Sequence, residues 1–225
     1  MLANVRKFLR IAIPVCVFVF VVLAGWGLDA WREFLSNPAR AGVFVLVAAA
    51  AAVAILTHLD FDALRPGKSD VGRQSFGLLL LALASVGFLW LLPYTDCRNI
   101  FVFSNGEGWR WFGLFLCTAG VTVRLLALES LGKQFSAYVT LQEEHQLVQS
   151  GVYGVVRHPL YLSLLLAGPG FGLVFRSLLV WPILALTLTF VSSRIYQEEK
   201  LLAGEFGAAF ERYRKRTWVL VPFVF

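Results

Sequence analysis

Residues Ala41 to Leu59 read Ala-Gly-Val-Phe-Val-Leu-Val-Ala-Ala-Ala-Ala-Ala-Val-Ala-Ile-Leu-Thr-His-Leu, nineteen positions without a charged group. A helix rises about 1.5 Å per residue, so this stretch spans close to the roughly 30 Å hydrocarbon core of a bilayer. Charge-free runs of similar length extend from Ile11 to Leu28 and from Gln74 to Thr95. A fourth, Trp111 to Gly132, carries Arg124 and Glu129 near its end. Two shorter runs of 17 residues each, Pro159 to Phe175 and Ser177 to Ser193, meet at Arg176. Backbone polar groups in lipid must be bonded within the protein, which leaves helices or a closed barrel. None of the runs alternates apolar and polar residues as a barrel strand does. The runs predict an all-α, multi-pass integral membrane protein with about six transmembrane helices, the last two forming a hairpin. The first run follows Arg6, Lys7 and Arg10, but it is longer than a signal-peptide core and further spans follow, so it reads as an uncleaved span.

Composition points the same way. Of 225 residues, 58% are hydrophobic and 15% charged, with a mean hydropathy of +0.72. A soluble domain of this size needs far more polar surface. No linker, low-complexity stretch or repeat divides the chain, so residues 1–225 read as one membrane domain, with N-terminal spans over 1–130 and a polar catalytic region over 131–225. The net charge of +6 does not indicate nucleic acid, because the basic residues sit between apolar runs rather than in a patch interleaved with aromatics. Cys16 and Cys117 lie inside apolar runs and Cys97 has no evident partner, which gives no disulfide framework. Three histidines without ligand spacing predict no metal site.

Basic residues flanking spans set orientation. One side receives Arg6, Lys7, Arg10, Arg65, Lys68, Arg73, Lys133, Arg157, Arg194, Lys200, Arg212, Arg214, Lys215 and Arg216, fourteen in all. The other receives five: Arg32, Arg40, Arg98, Arg110 and Arg176. Both termini and the polar loop after the fourth run are therefore expected in the cytoplasm, at the inner membrane if the source is bacterial. Charged cytosolic cofactors reach that side only.

Two polar stretches carry the candidate chemistry. The first runs from Lys133 to Tyr161 and holds two of the three histidines, His145 and His158. Pro159 suits the first turn of a helix, which places Arg157 and His158 at an N-terminus whose exposed N–H groups favour an anion. The alternative is that this pair only marks the membrane interface. The second stretch is Arg194-Ile-Tyr-Gln-Glu198-Glu199-Lys200. If the last helix continues unbroken, Arg194 and Glu198 share a face; the alternative is that they form only a surface ion pair. Beyond it Leu202, Phe206 and Phe210 recur every four residues, predicting a C-terminal amphipathic helix.

The ordered set Gly-Val-Tyr-x3-Arg-His-Pro-x-Tyr (Gly151 to Tyr161), then Arg194-x3-Glu198-Glu199, then a tail ending Val221-Pro222-Phe223, resembles the isoprenylcysteine carboxyl methyltransferase family. The chain reads as a prokaryotic member of that family, related to the phospholipid methyltransferases. His145-x-Leu147-Val148 upstream strengthens the match, which covers roughly Leu131 to Phe223. Ser163, where the family often has glycine, is a small departure. The resemblance implies S-adenosyl-L-methionine as cofactor. By position, it implies cofactor contacts at His145, Gln146, Leu147, Val148, Tyr153, His158, Pro159, Leu160, Tyr161 and Glu198, with Gln142 a further candidate; Arg157 joins this set from its place at the helix N-terminus. Arg194 then faces a lipophilic or lipid-anchored methyl acceptor within the membrane lipid. Glu198 balances the cofactor's positive groups. A carboxylate or thiolate acceptor needs no strong base, whereas an ammonium needs one, and Glu199 is nearest. Arg194, Glu198 and Glu199 are the candidate catalytic residues.

Rival readings stand beside this one. The acceptor is open among an isoprenylcysteine carboxylate, an aminophospholipid and a small thiol or acid. The sterol reductases share the Arg-His-x-x-Tyr region but use a nicotinamide cofactor, and their Arg-Asp-Glu-x-x-Cys segment is Gln197-Glu198-Glu199-Lys200-Leu201 here. A non-enzymatic scaffold or transporter predicts polar residues scattered through several spans. Gly168-Pro-Gly170-Phe-Gly172 mimics a soluble nucleotide-binding loop but lies inside an apolar run, where a kink or tight helix contact accounts for it. His58 reads as an interface histidine. Arg124 and Glu129 either line the pocket or mark the end of their span.

Overall fold

In the computed structural model, which describes residues 2–57, 71–132 and 147–223, every predicted apolar run contributes a helix. The order is α1 (Leu2–Trp26), a 3₁₀ turn (Leu28–Ala30), α2 (Trp31–Ser36), α3 (Pro38–Leu56), α4 (Val71–Cys97) and α5 (Gly106–Leu131). A second 3₁₀ turn (Gly151–Gly154) then leads into α6 (Pro159–Val174), α7 (Val180–Phe206) and α8 (Ala208–Arg214). Local chemistry sets several of these ends. The Asn37 side chain accepts the N–H groups of Ala39 and Arg40 at 3.1 and 3.2 Å, and Pro38 occupies the first turn of α3. Gly132 (φ +53°) and Gly207 (φ +47°) end α5 and α7 in the left-handed region that glycine tolerates.

The count of six spans is not confirmed. Among the described residues, Pro38–Leu56 and Gly106–Leu131 are each long and apolar enough to cross a membrane, and Ile11–Trp26 with Leu28–Ser36, bent by 102°, makes a third at most. At 16 residues α6 falls short of the roughly 20 a span needs. The last helix runs past its apolar part into Arg194–Lys200, as the reading of an unbroken helix expected. The amphipathic stripe is corrected in one respect: Gly207 divides it, leaving Leu202 and Phe206 on α7 and Phe210 on the seven-residue α8.

Helices α5 and α6 form the closest pair, antiparallel and joined through small residues. A Cβ added at Gly113 would lie 2.5 Å from the Gly170 carbonyl, and one at Gly120 would lie 2.8 Å from the Ser163 carbonyl. A Cβ at Gly170 would reach the Gly113 carbonyl at 2.8 Å. Such backbone approach drives helix association where lipid removes the hydrophobic term. The glycine-rich stretch of α6 is a packing surface. Around it Phe34, Phe171, Phe175, Val174, Val22 and Trp26 form a core. Outward faces are apolar, with Val45 at 68% and Phe115 at 65% exposure, as lipid contact requires.

At the end of the bundle where α6 finishes, Asp96 is fully buried and gathers three arginines. Arg110 donates to both its carboxylate oxygens at 2.7 and 3.0 Å, Arg176 Nε donates at 2.8 Å, and Arg40 approaches to 3.6 Å. Arg110 also donates to the Val174 carbonyl at 2.6 Å, fastening α5 to the C-terminal end of α6. Three of the five arginines used above as orientation markers thus meet at one buried carboxylate.

Candidate active site

At the other end of α6 the two polar stretches meet. His158 is the residue before Pro159 and sits, buried, between the carboxylates of the α7 pair. Its Nδ1 is 3.5 Å from Glu198 Oε2 and its Nε2 is 3.5 Å from Glu199 Oε1. These are ion-pair distances, and Nε2 has no hydrogen-bond partner in its buried position. Burial disfavours charge on the imidazole, but the two carboxylates outweigh it and raise the His158 pKa above its ordinary value. Glu199 moves the other way. His158 and Arg157 hold its pKa down at about 2, against the opposing effect of burial.

One turn into α6, Tyr161 donates its hydroxyl to Glu198 Oε1 and accepts from Arg194 Nε at 3.4 Å. The spacing of four that put Arg194 and Glu198 on one face thus brings both to a single phenol. The imidazole and phenol rings lie 5.7 Å apart. Tyr153, on the 3₁₀ turn, is buried, and its carbonyl accepts the Tyr213 hydroxyl of α8 at 2.8 Å. Pro159 is buried; Leu147, Val148 and Leu160 are half-buried. His145, Gln146, Gln142 and His58 lie outside the described residues.

Two features of the structure bear on the expected cofactor contacts. Arg157 was expected to contact the cofactor; its side chain is only 6% exposed, and its Nε and Nη1 donate to protein acceptors. Nε donates to Glu199 at 2.9 Å; Nη1 donates to the Arg214 carbonyl at 3.0 Å and to the Thr217 carbonyl. The helix N-terminus also offers less to an anion than expected. Pro159 has no N–H, His158 N–H donates to the Val219 carbonyl, and the N–H groups of Tyr161 and Leu162 both bond back to His158.

Arg124 and Glu129 separate. Gly113, Cys117, Gly120 and Arg124 follow one another at helical spacing on the face that meets α6, where Cys117 Sγ donates to the Ala167 carbonyl at 3.6 Å. Arg124 continues that line level with the start of α6; it is exposed and within electrostatic reach of Tyr153. Glu129 faces away, in a cavity of about 200 Å³ lined by Val53, Thr57, Thr122, Leu125 and Leu126. That cavity contains none of the residues gathered around His158. The tail contacts, by contrast, had no sequence signal, because a single bridge between Val156 and Trp218 leaves no periodic pattern.

Comparison with known proteins fits this arrangement. The model of the isoprenylcysteine carboxyl methyltransferase (ICMT) family matches residues 112–204, which include α6 and the Arg194–Glu199 end of α7. The chain is similar to the protein-S-isoprenylcysteine O-methyltransferase of Saccharomyces cerevisiae, 30% identical over 172 residues, covering 74% of this chain and 69% of that protein. It is also similar to the cobalt-zinc-cadmium resistance protein CzcN of Cupriavidus metallidurans, 32% identical over 117 residues, covering 50% of this chain and 54% of that protein. Other curated isoprenylcysteine methyltransferases match over 41% to 66% of their own length. The solved structure of the eukaryotic intramembrane Ras methyltransferase ICMT shares the fold at a TM-score of 0.56 and 18% identity, covering 92% of this chain and 74% of that one. With relatives among both fungi and bacteria, the prokaryotic placement is not borne out. The yeast match, extending over most of both proteins, is decisive: the chain belongs to the isoprenylcysteine carboxyl methyltransferase family and is a membrane methyltransferase.

Proposed function

We propose that the chain transfers a methyl group from S-adenosylmethionine to the carboxylate of an isoprenyl-cysteine acceptor, at the cytoplasmic face of its membrane. The observation that carries this reading is the meeting of His158, Tyr161, Arg194, Glu198 and Glu199 at one end of the α6–α7 hairpin. The cofactor pairs a sulfonium and an amine with a carboxylate, so it needs groups of both signs. Glu198, with its side chain 28% exposed, offers the negative group. The buried Nε2 of His158, which has no hydrogen-bond partner, on an imidazole whose pKa the two carboxylates raise, offers the donor. Leu147, Val148, Tyr153, Pro159 and Leu160 then supply apolar walls; His145 and Gln146 belong to the same proposed set. The residue range 131–225 is the proposed catalytic region of a single membrane domain.

S-adenosylmethionine supplies an electrophilic methyl group on a cationic sulfur. The protein's task is orientation, because in-line displacement depends on alignment more than on covalent help. Arg194, held by the Tyr161 hydroxyl, and Arg124, on the α5 face beside the same end of α6, are two cations for an acceptor carboxylate. A carboxylate is already nucleophilic when ionised, so no residue has to remove a proton. With an ammonium acceptor Glu199 would have to serve as base, and a carboxyl held near pKa 2 is a poor one.

The two arginines would recognise a carboxylate whatever chain carries it, which gives a second reading in which a different lipophilic acid is methylated. One experiment separates the readings. Membranes containing the protein are incubated with S-adenosylmethionine labelled in its methyl group, and the labelled product is identified by mass spectrometry. Label in a base-labile ester of a prenylated cysteine supports the first reading, and an ester of another lipophilic acid supports the second. Label on nitrogen, or no transfer with no calorimetric binding of the cofactor, refutes both.

A further inference from the structure

The segment after α8 passes beside the Arg157–His158 pair and is fastened to it from both backbone and side chain. Trp218 N–H donates to the Val155 carbonyl at 2.9 Å, Arg157 N–H to the Trp218 carbonyl at 2.8 Å, and His158 N–H to the Val219 carbonyl at 3.1 Å. These form the parallel bridge between Val156 and Trp218. The Arg157 guanidinium then ties three elements together. It donates to Glu199 of α7, to the Arg214 carbonyl at the end of α8, and to the carbonyl and hydroxyl of Thr217. Thr217 Oγ1 itself donates to the Tyr213 carbonyl at 2.9 Å, and Tyr213 donates to the 3₁₀ turn that carries Tyr153. No single-pronged cation reproduces this, since a guanidinium presents donors in a rigid fork and an ammonium is a point charge.

We infer that Arg157 is a positioning residue: it locks the segment Lys215–Val219 across the back of the site and thereby fixes Glu199 and the neighbouring His158. It does not contact the cofactor. This role rests on the reading that the His158 end of the α6–α7 hairpin binds S-adenosylmethionine. Three observations carry it. The guanidinium is buried, its contacts are protein groups on α7, α8 and the tail, and His158 is held by its own backbone to the same tail segment.

The test titrates two ligands, S-adenosylmethionine and its decarboxylated analogue, against wild type, Arg157→Lys and Arg157→Gln. Each is the full-length protein in detergent. Circular dichroism reports helix content, and trypsin reports release of the tail at Arg214, Lys215 and Arg216. A group that binds the cofactor carboxylate directly matters only for the ligand that has one. A positioning residue matters equally for both. The assignment expects wild type to bind both ligands, and Arg157→Lys to keep its helix content while tryptic nicking of the tail accelerates. It expects affinity for both ligands to fall alike, by about tenfold or more, the scale of a lost charge-assisted hydrogen bond. Arg157→Gln repeats the comparison if lysine restores the lock in part. A loss confined to S-adenosylmethionine overturns the assignment, and so does unchanged affinity with an equally protected tail. Wild type that binds neither ligand while its tail stays protected refutes the functional reading, and this role with it.

Discussion

His158 and Glu199 shift in opposite directions, and the signs fix how the site responds to pH. The imidazole has a raised pKa in the fold, so its contribution is complete below about 6.5 and disappears as pH rises through the raised value. The Glu199 carboxyl is held at about 2 against an ordinary 4.5, so its contribution is complete above 4.5 and is lost as pH falls towards 2. Unfolding measured against pH should therefore show a loss between 4.5 and 2 that is smaller in Glu199→Gln. An acid limb identical in wild type and variant would remove Glu199 from that linkage. At the same scale, Tyr161→Phe deletes the hydroxyl that Glu198 and Arg194 share. Removing one hydrogen bond to a charged group costs about 1.5–3 kcal/mol, so cofactor affinity should fall roughly tenfold or more while the helices remain. Calorimetric titration checks it, and an unaltered dissociation constant would detach Tyr161 from the site. These residues were legible because chemistry-bearing types stood at spacings that a helix converts into one face. Arg157 was legible as important but not in its partners. The carbonyls it holds belong to Arg214 and Thr217, residues whose side chains give no hint of the contact.

Helices were the most legible elements, because a bilayer rewards long charge-free runs irrespective of tertiary detail. The run Pro159 to Phe175 became α6 (Pro159–Val174), and Ala41 to Leu59 became most of α3 (Pro38–Leu56). The division at Gly207 was less legible, since the four-residue recurrence of Leu202, Phe206 and Phe210 passes through it without a break in period. The number of spans was not legible at all from run length, since a short helix such as α6 is equally apolar. For Gly168–Gly172 the sequence left a kink or a tight helix contact, and packing selects the contact: at Gly170 two helices touch through backbone. Gly120→Ala should test that contact. Its Cβ would sit 2.8 Å from backbone atoms of α6, which cannot yield without moving the helix. Gly87→Ala, with nothing within 4 Å, is the control. In open helical positions alanine is favoured over glycine by about 0.5–1 kcal/mol. Thermal unfolding in detergent should therefore show Gly120→Ala destabilised and Gly87→Ala neutral or better. Equal behaviour of the two would mean the α5–α6 contact is looser than drawn.

Across the whole molecule, α6 connects two polar centres of different character. At its start stand the buried His158 and the partly open α7 carboxylates, with His158 and Glu199 shifted in pKa; at its end, about 24 Å away by helical rise, Arg110 grips the Val174 carbonyl and the buried Asp96. The second centre has the composition of a staple. One carboxylate with no exposed surface holds Arg110 in a two-pronged bond and draws in Arg176 and Arg40, linking α3, α4, α5 and the turn between α6 and α7. Replacing a buried ion pair by apolar groups is often harmless, but removing one partner leaves charge behind, at a cost of about 3–5 kcal/mol. Here Asp96→Ala leaves a buried guanidinium at Arg110 with two more beside it. The expected outcome is a large fall in unfolding temperature in detergent, with cofactor affinity below the transition close to wild type, because no site residue touches the staple. The double variant Asp96→Leu with Arg110→Met should recover much of that loss. If Asp96→Ala alone is as stable as wild type, the three arginines are accommodated by solvent or lipid headgroups, and the staple does not hold α6 in place.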